Sequence, residues 1–165
     1  MRSCTYLDFD TIYRIINEAA NAYKEKIPAD CWHEPYMERS VLQKEMDAGV
    51  HFWGWEESGN LAGIMGIQKV LDVTLIRHAY VKPAFQGKGI GGALLDKLSN
   101  HSAGTLFVGT WAAAVWAIRL YEHHGFRMVG EEEKNVLLRK YWNISERQLE
   151  TSVVLAYETS HSGTL

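Results

Sequence analysis

Gln86-Gly87-Lys88-Gly89-Ile90-Gly91-Gly92 is the stretch whose reading decides the fold. Before it, Val73 to Val81 is rich in Val, Thr, Ile and Tyr and reads as a strand, closed at Lys82-Pro83 because proline cannot continue a ladder. After it, Ile90, Ala93, Leu94, Leu95 and Leu98 form an apolar helical stripe. Glycines between a strand and a helix let several backbone N–H groups turn one way. The helix that follows starts with unpaired donors and the positive end of its dipole. The spacing therefore predicts an anion cradle. Amides of Gly87, Lys88, Gly89, Ile90, Gly91 and Gly92 can surround a pyrophosphate, Lys88 can add a point charge, and Gln86 can brace the loop through its side-chain amide.

Outward from this loop, Asp10 to Lys26 carries Ile12, Ile15, Ile16, Ala19, Ala20 and Tyr23 on one helical face, with Asp10 as a plausible cap. Met37 to Ala48 is a second amphipathic segment ended by Gly49. His51 to Trp55 alternates as a strand, and Glu56 to Asn60 reads as a hairpin turn into an antiparallel partner, Leu61 to Val70. Downstream, Thr105 to Gly109 is β-like, and Ala112 to His124 is a helix with Gly125 beyond its end. Phe126 to Gly130 and Ser152 to Glu158 are strands, separated by a variable-looking insertion, Glu131 to Thr151. The order is that of a mixed-sheet α/β (α+β) protein. The whole chain, 1–165, reads as one domain, with 160–165 a loose tail.

The 165 residues, 47% of them hydrophobic, suffice for one domain with a substantial core. A formal net charge of −3 offers no basic field for nucleic acid or an anionic membrane, so a phosphate would be held by local geometry. Cys4 and Cys31 are too few for a disulfide scaffold and no signal-like start is visible, which makes a reducing cytoplasm the expectation. No run approaches the ~20 apolar residues of a membrane helix.

The same glycines spell Gly87-x-Gly89-x-x-Gly92, a dinucleotide fingerprint. That motif wants an acidic residue about 20 positions on, where this chain has Gly109-Thr110-Trp111. Gln86, Gly89 and Gly91 directly after a strand, followed later by Leu120-Tyr121-Glu122-His123-His124-Gly125-Phe126 at a helix end, instead resemble the GNAT superfamily of CoA-dependent acyltransferases. The resemblance spans residues 5 to 158 by element order, although its specific motifs lie between Val73 and Phe126. It implies a central, mostly antiparallel sheet of six to seven strands flanked by about four helices. It also implies acetyl-CoA as acyl donor, whose pyrophosphate the loop would hold, with backbone groups of Ala79, Tyr80 and Val81 on the pantetheine arm and acyl carbonyl. By the same resemblance Tyr121 protonates the leaving sulfur, and a neutral phenol with pKa near 10 suits that role.

Two features of the family pattern are missing, an asparagine and a carboxylate base. Ala114 stands where many members have an asparagine, and Leu75 and Gly109 stand where members carry carboxylate bases. Arg77 and His78 are the nearest titratable residues on the key strand; a histidine has the right pKa for a base, but regular alternation puts His78 on the face opposite Leu75, Arg77 and Ala79. Arg77 suits a substrate carboxylate, Glu34 an ammonium, and Trp53, Trp55, Tyr141 and Trp142 are candidates for an acceptor wall. No set of His, Cys or acidic residues has metal-site spacing, His123-His124 included, so no metal is expected. The resulting expectation is an N-acetyltransferase acting on a primary amine of a small molecule or peptide in a ternary complex. It has no nucleic-acid or membrane partner and leaves a homodimer open. A non-catalytic acyl-CoA sensor is the rival, motivated by the missing base, and a nicotinamide-dependent oxidoreductase is the third reading.

Overall fold

The computed structural model describes residues 1–159, so the tail expected at 160–165 lies outside the described residues. Seven strands form one sheet in the order β1-β2-β3-β4-β5-β7-β6: β1 Arg2–Ser3, β2 His51–Glu57, β3 Asn60–Val70, β4 Val73–Val81, β5 Thr105–Trp111, β6 Arg127–Met128 and β7 Ser152–Glu158. All neighbouring pairs are antiparallel except β4 and β5. Six α-helices flank it: α1 Phe9–Ala20, α2 Arg39–Asp47, α3 Ile90–His101, α4 Val115–His123, α5 Glu131–Tyr141 and α6 Glu146–Thr151.

Period-two alternation divides the core between the sheet's two faces. Ile76, Leu106, Val108 and Leu155 pack with Leu94, Leu95 and Leu98 of α3 and Tyr121 of α4. On the other face, Ile12, Ile15 and Ile16 of α1 and Leu42 of α2 cover Phe52 and Ile64, while α5 and α6 cover Leu75, Phe107 and Val154. Each fully buried aliphatic side chain contributes about 1.5–3 kcal/mol. Gly92 sets the approach of α3 to α4, since a Cβ there would stand 2.6 Å from Nε2 of His124.

Several boundaries differ from expectation for local reasons. Asp10 does not cap α1; it lies inside the first turn and pairs with Arg39. Asp8 takes the N-cap position instead, but its carboxylate closes a capping box with Thr5 and accepts from Arg2. β5 runs two residues past Gly109 because Thr110 and Trp111 pair with Val153 and Ser152 of β7, which delays α4 to Val115. Only two of the residues 126–130 form a strand, since the Phe126 amide donates back to Tyr121 at the end of α4. The expected insertion holds α5 and α6, which raises the helix count from about four to six. Its signals are local: three glutamates open α5, and Ser145 with Gln148 closes a capping box at α6.

Candidate active site

β4 and β5 pair only from Thr74 with Leu106 to Ile76 with Val108. Beyond that point β4 stays on β3 and β5 on β7, so the two strands part and leave backbone groups facing a gap. That gap opens into a cavity of about 910 Å³. At one end it is lined by Gly87, Gly89 and Gly91, along its length by Ala79, Tyr80, Val81 and Tyr121, and at the other end by Glu45, Arg77, His78 and Trp142.

The glycine loop is built as an open cradle. Gly87 and Gly89 have φ of +78° and +80°, and a Cβ on either would meet nothing within 4 Å, so the left-handed turn rather than crowding calls for glycine. Gln86 donates through Nε2 to the Val81 carbonyl at 3.0 Å, which ties the loop to the end of β4. The amides that follow open α3, whose N-terminus favours an anion. Gln86 and Ile90 also line the cavity, whereas Lys88 stands with its ammonium 5.1 Å over the Phe85 ring and Gly92 packs beneath His124.

Tyr121 is 4% exposed, its ring 5.7 Å from that of Phe126, and it faces the cavity. Burial, with a smaller contribution from Tyr23, pushes its phenol well above the usual value, so it holds its proton at any working pH. Tyr23, Tyr36 and Tyr80 gather beside it. Burial lifts the Tyr23 phenol to about 12 and raises Tyr80 as well. Trp111 Nε1 donates to the Tyr36 hydroxyl at 2.8 Å, fixing the loop before α2 against β5. Ala114 is fully buried with Ala20, Tyr23 and Trp111, a packing position in this chain.

The substrate candidates fare unequally. Glu34 is exposed, pairs with Lys24 at 3.0 Å and does not line the cavity; the ammonium role assigned to it has no support in this placement. Arg77 lines the cavity but is engaged, donating to Gln68 at 2.8 Å and to Glu45 at 3.0 Å. Trp142 lines it too, its ring within 3.5 Å of where a Gly109 Cβ would stand. Trp53 and Trp55 pack on the side of α3, and Tyr141 is buried with its hydroxyl on Asp72 at 2.7 Å; none of the three lines the cavity. Among the described residues no group of three His, Cys, Asp or Glu could hold a metal.

In the sequence Glu45 is merely one residue of an amphipathic helix, yet in the fold it is a charged centre of the far end. Its carboxylate meets both Arg77 and His78. Burial alone would raise its pKa; its contacts with His78 and Arg77 outweigh that and hold it below the ordinary carboxylate value. No sequence spacing links it to His78, thirty-three residues away.

The site is thus a splayed parallel strand pair with a glycine cradle at its mouth. Residues 18–139 match the profile of the acetyltransferase (GNAT) domain, and the chain belongs to this family. It is 34% identical over 136 residues to the N-acetylaspartate synthetase of Homo sapiens, covering 68% of this chain and 45% of that protein. It is 30% identical over 96 residues to the ribosomal protein bS18-alanine N-acetyltransferase of Escherichia coli K12, covering 56% of this chain and 64% of that one. The chain thus spans less than half the length of the synthetase. The crystal structure of the PaiA N-acetyltransferase of Thermoplasma acidophilum in complex with coenzyme A superposes with a TM-score of 0.69 at 14% identity, covering 96% of this chain and 97% of that one. Among the described residues no helix is long and apolar enough to cross a membrane.

Proposed function

We propose that this chain transfers the acetyl group of acetyl-CoA to a primary amine of a small molecule or peptide, by direct attack in a ternary complex. The observation that carries this reading is the continuity of one cavity from the Gly87–Gly91 cradle, past the parted ends of β4 and β5, to Tyr121 and the charged far end. The residues fit the donor. Backbone amides of the loop and the first turn of α3 suit its pyrophosphate, and the β5-facing backbone of Ala79, Tyr80 and Val81 suits the pantetheine amides and the acyl oxygen. Tyr121 donates its proton to the departing sulfur. Burial weakens the phenol as an acid, but the same water-poor groove disfavours a bare thiolate and so strengthens the sulfur as a proton acceptor.

The relatives named for N-acetylaspartate synthesis and for acetylating an alanine of ribosomal protein bS18 support an acceptor with a free primary amine, in a small molecule or a peptide. Cys4 and Cys31 are free thiols, which fits the cytoplasm as the proposed location. A purified sample heated with acetyl-CoA or with NADH tests the donor. Acetyl-CoA at about 100 times its Kd stabilises by about 2.7 kcal/mol and raises the Tm, while NADH leaves it unchanged. Stabilisation by NADH alone would contradict the reading.

A further inference from the structure

Arg77 and His78 are consecutive in β4, yet both side chains reach the carboxylate of Glu45 on α2. In a regular strand neighbours point to opposite faces. Here the register between β3 and β4 slips between Ile64 and Gly66, and His78 takes a left-handed φ of +51°. A bulge of this kind re-aims a side chain, and an L-residue stays at positive φ only where its surroundings hold it. The surroundings are the Phe52 ring, stacked 6.1 Å from the imidazole, and Glu45. Arg77 already neutralises Glu45, so the bulge is not needed for charge balance; what it adds is a fixed imidazole lining the cavity one residue before Ala79.

We propose that His78, oriented by Glu45, accepts the proton that the acceptor's ammonium must lose, with Glu45 and Arg77 as positioning residues. This rests on the acetyltransferase reading above. The Glu45 carboxylate can only accept, so Nε2 of His78 carries the hydrogen and Nδ1 keeps a lone pair. Nδ1 takes one proton from the ammonium, directly or through one water, and leaves a neutral amine. The amine lone pair forms the new C–N bond at the thioester carbonyl. The C–S bond then breaks, its electron pair going to sulfur, which takes the Tyr121 proton. The surplus proton on nitrogen restores Tyr121 through water, and His78 sheds its own to solvent, so the products are an amide, a thiol and one proton. The charged groups packed on the imidazole are Glu45 from α2 and Arg77 beside it in β4; β2 presents the neutral Phe52, and β3 presents the neutral Gln68 to Arg77.

His78→Gly is the variant of choice, because glycine accepts the left-handed backbone without strain. Thiol release from acetyl-CoA is followed across pH with a panel of free amino acids and alkyl primary amines, alongside acetyl-CoA affinity. The expected result is a loss of kcat/KM of about 100-fold at neutral pH that shrinks as pH approaches the amine's own pKa, where free amine needs no base. Glu45→Gln, which carries the decision should His78→Gly fail to fold, shows a smaller loss with the same pH trend. Activity within about two-fold of wild type, or a deficit equal at every pH, overturns the assignment. Wild type that releases thiol with no amine instead overturns the acetyltransferase reading, and the assignment with it.

Discussion

Glu45 shows how one residue can serve packing, charge and chemistry together. Its carboxyl titrates below the ordinary value in the folded chain because its contacts with His78 and Arg77 outweigh burial. A group with a depressed folded pKa contributes stability above its unfolded pKa, near ~4, and that contribution is lost as pH falls through the folded value. Asp8, lowered chiefly by its bond from Arg2, acts in the same direction. The Tm should therefore hold at neutral pH and fall below about pH 4, with a shallower acid fall in Glu45→Gln; an unchanged acid slope in that variant would remove Glu45 from this role. Sequence makes Tyr121 and the loop glycines legible, because each sits in a short motif whose spacing is local. Glu45 and the true face of His78 are not legible, since one depends on a tertiary contact and the other on a bulge that alternation cannot foresee.

The bulge belongs to a pair of strands, and Gly66 is where the pair depends on a missing side chain. A Cβ at Gly66 would lie 2.9 Å from the Arg77 carbonyl oxygen and 3.0 Å from Val50 Cγ1, so backbone would have to move. Gly66→Ala should cost about 1–3 kcal/mol in urea unfolding, the range for overpacking, and should disturb the placement of Arg77 and His78. Full stability in the variant would show that β3 and β4 yield more easily than their spacing suggests. At this scale the long strands are readable from alternation and turn residues. β4 and β7 have the expected bounds, and β2 and β3 form the expected hairpin. The two-residue β1 and the short β6 carry too few residues for any period to register, and their place is fixed by pairing to β2 and β7. α5 escapes a reading by periodicity because its apolar residues are sparse among charges, although its glutamate start and lysine-arginine end suit the helix dipole.

Across the whole molecule, the two faces of the sheet divide the work. α3 and α4 pack on one face and frame the cradle and Tyr121, while α1, α2 and the α5–α6 segment cover the other and wall the far end. Asp30, in the loop between α1 and α2, forms an ion pair with Arg147 of α6 at 2.9 Å and so bridges two chain segments that both line the cavity. The donor half is legible from sequence because backbone geometry writes itself in glycines. The acceptor half is assembled from side chains of distant segments, which no local pattern records. Acetyl transfer with Tyr121 as proton donor can be followed by thiol release from acetyl-CoA in the presence of a panel of primary amines, with mass detection of the acetylated product. Wild type should form thiol and acetylated amine in equal amounts, and Tyr121→Phe should lose about 10²–10⁴-fold in kcat while binding acetyl-CoA as tightly as wild type. Wild type that binds acetyl-CoA but acetylates no amine, or a Tyr121→Phe variant with full turnover, would contradict it.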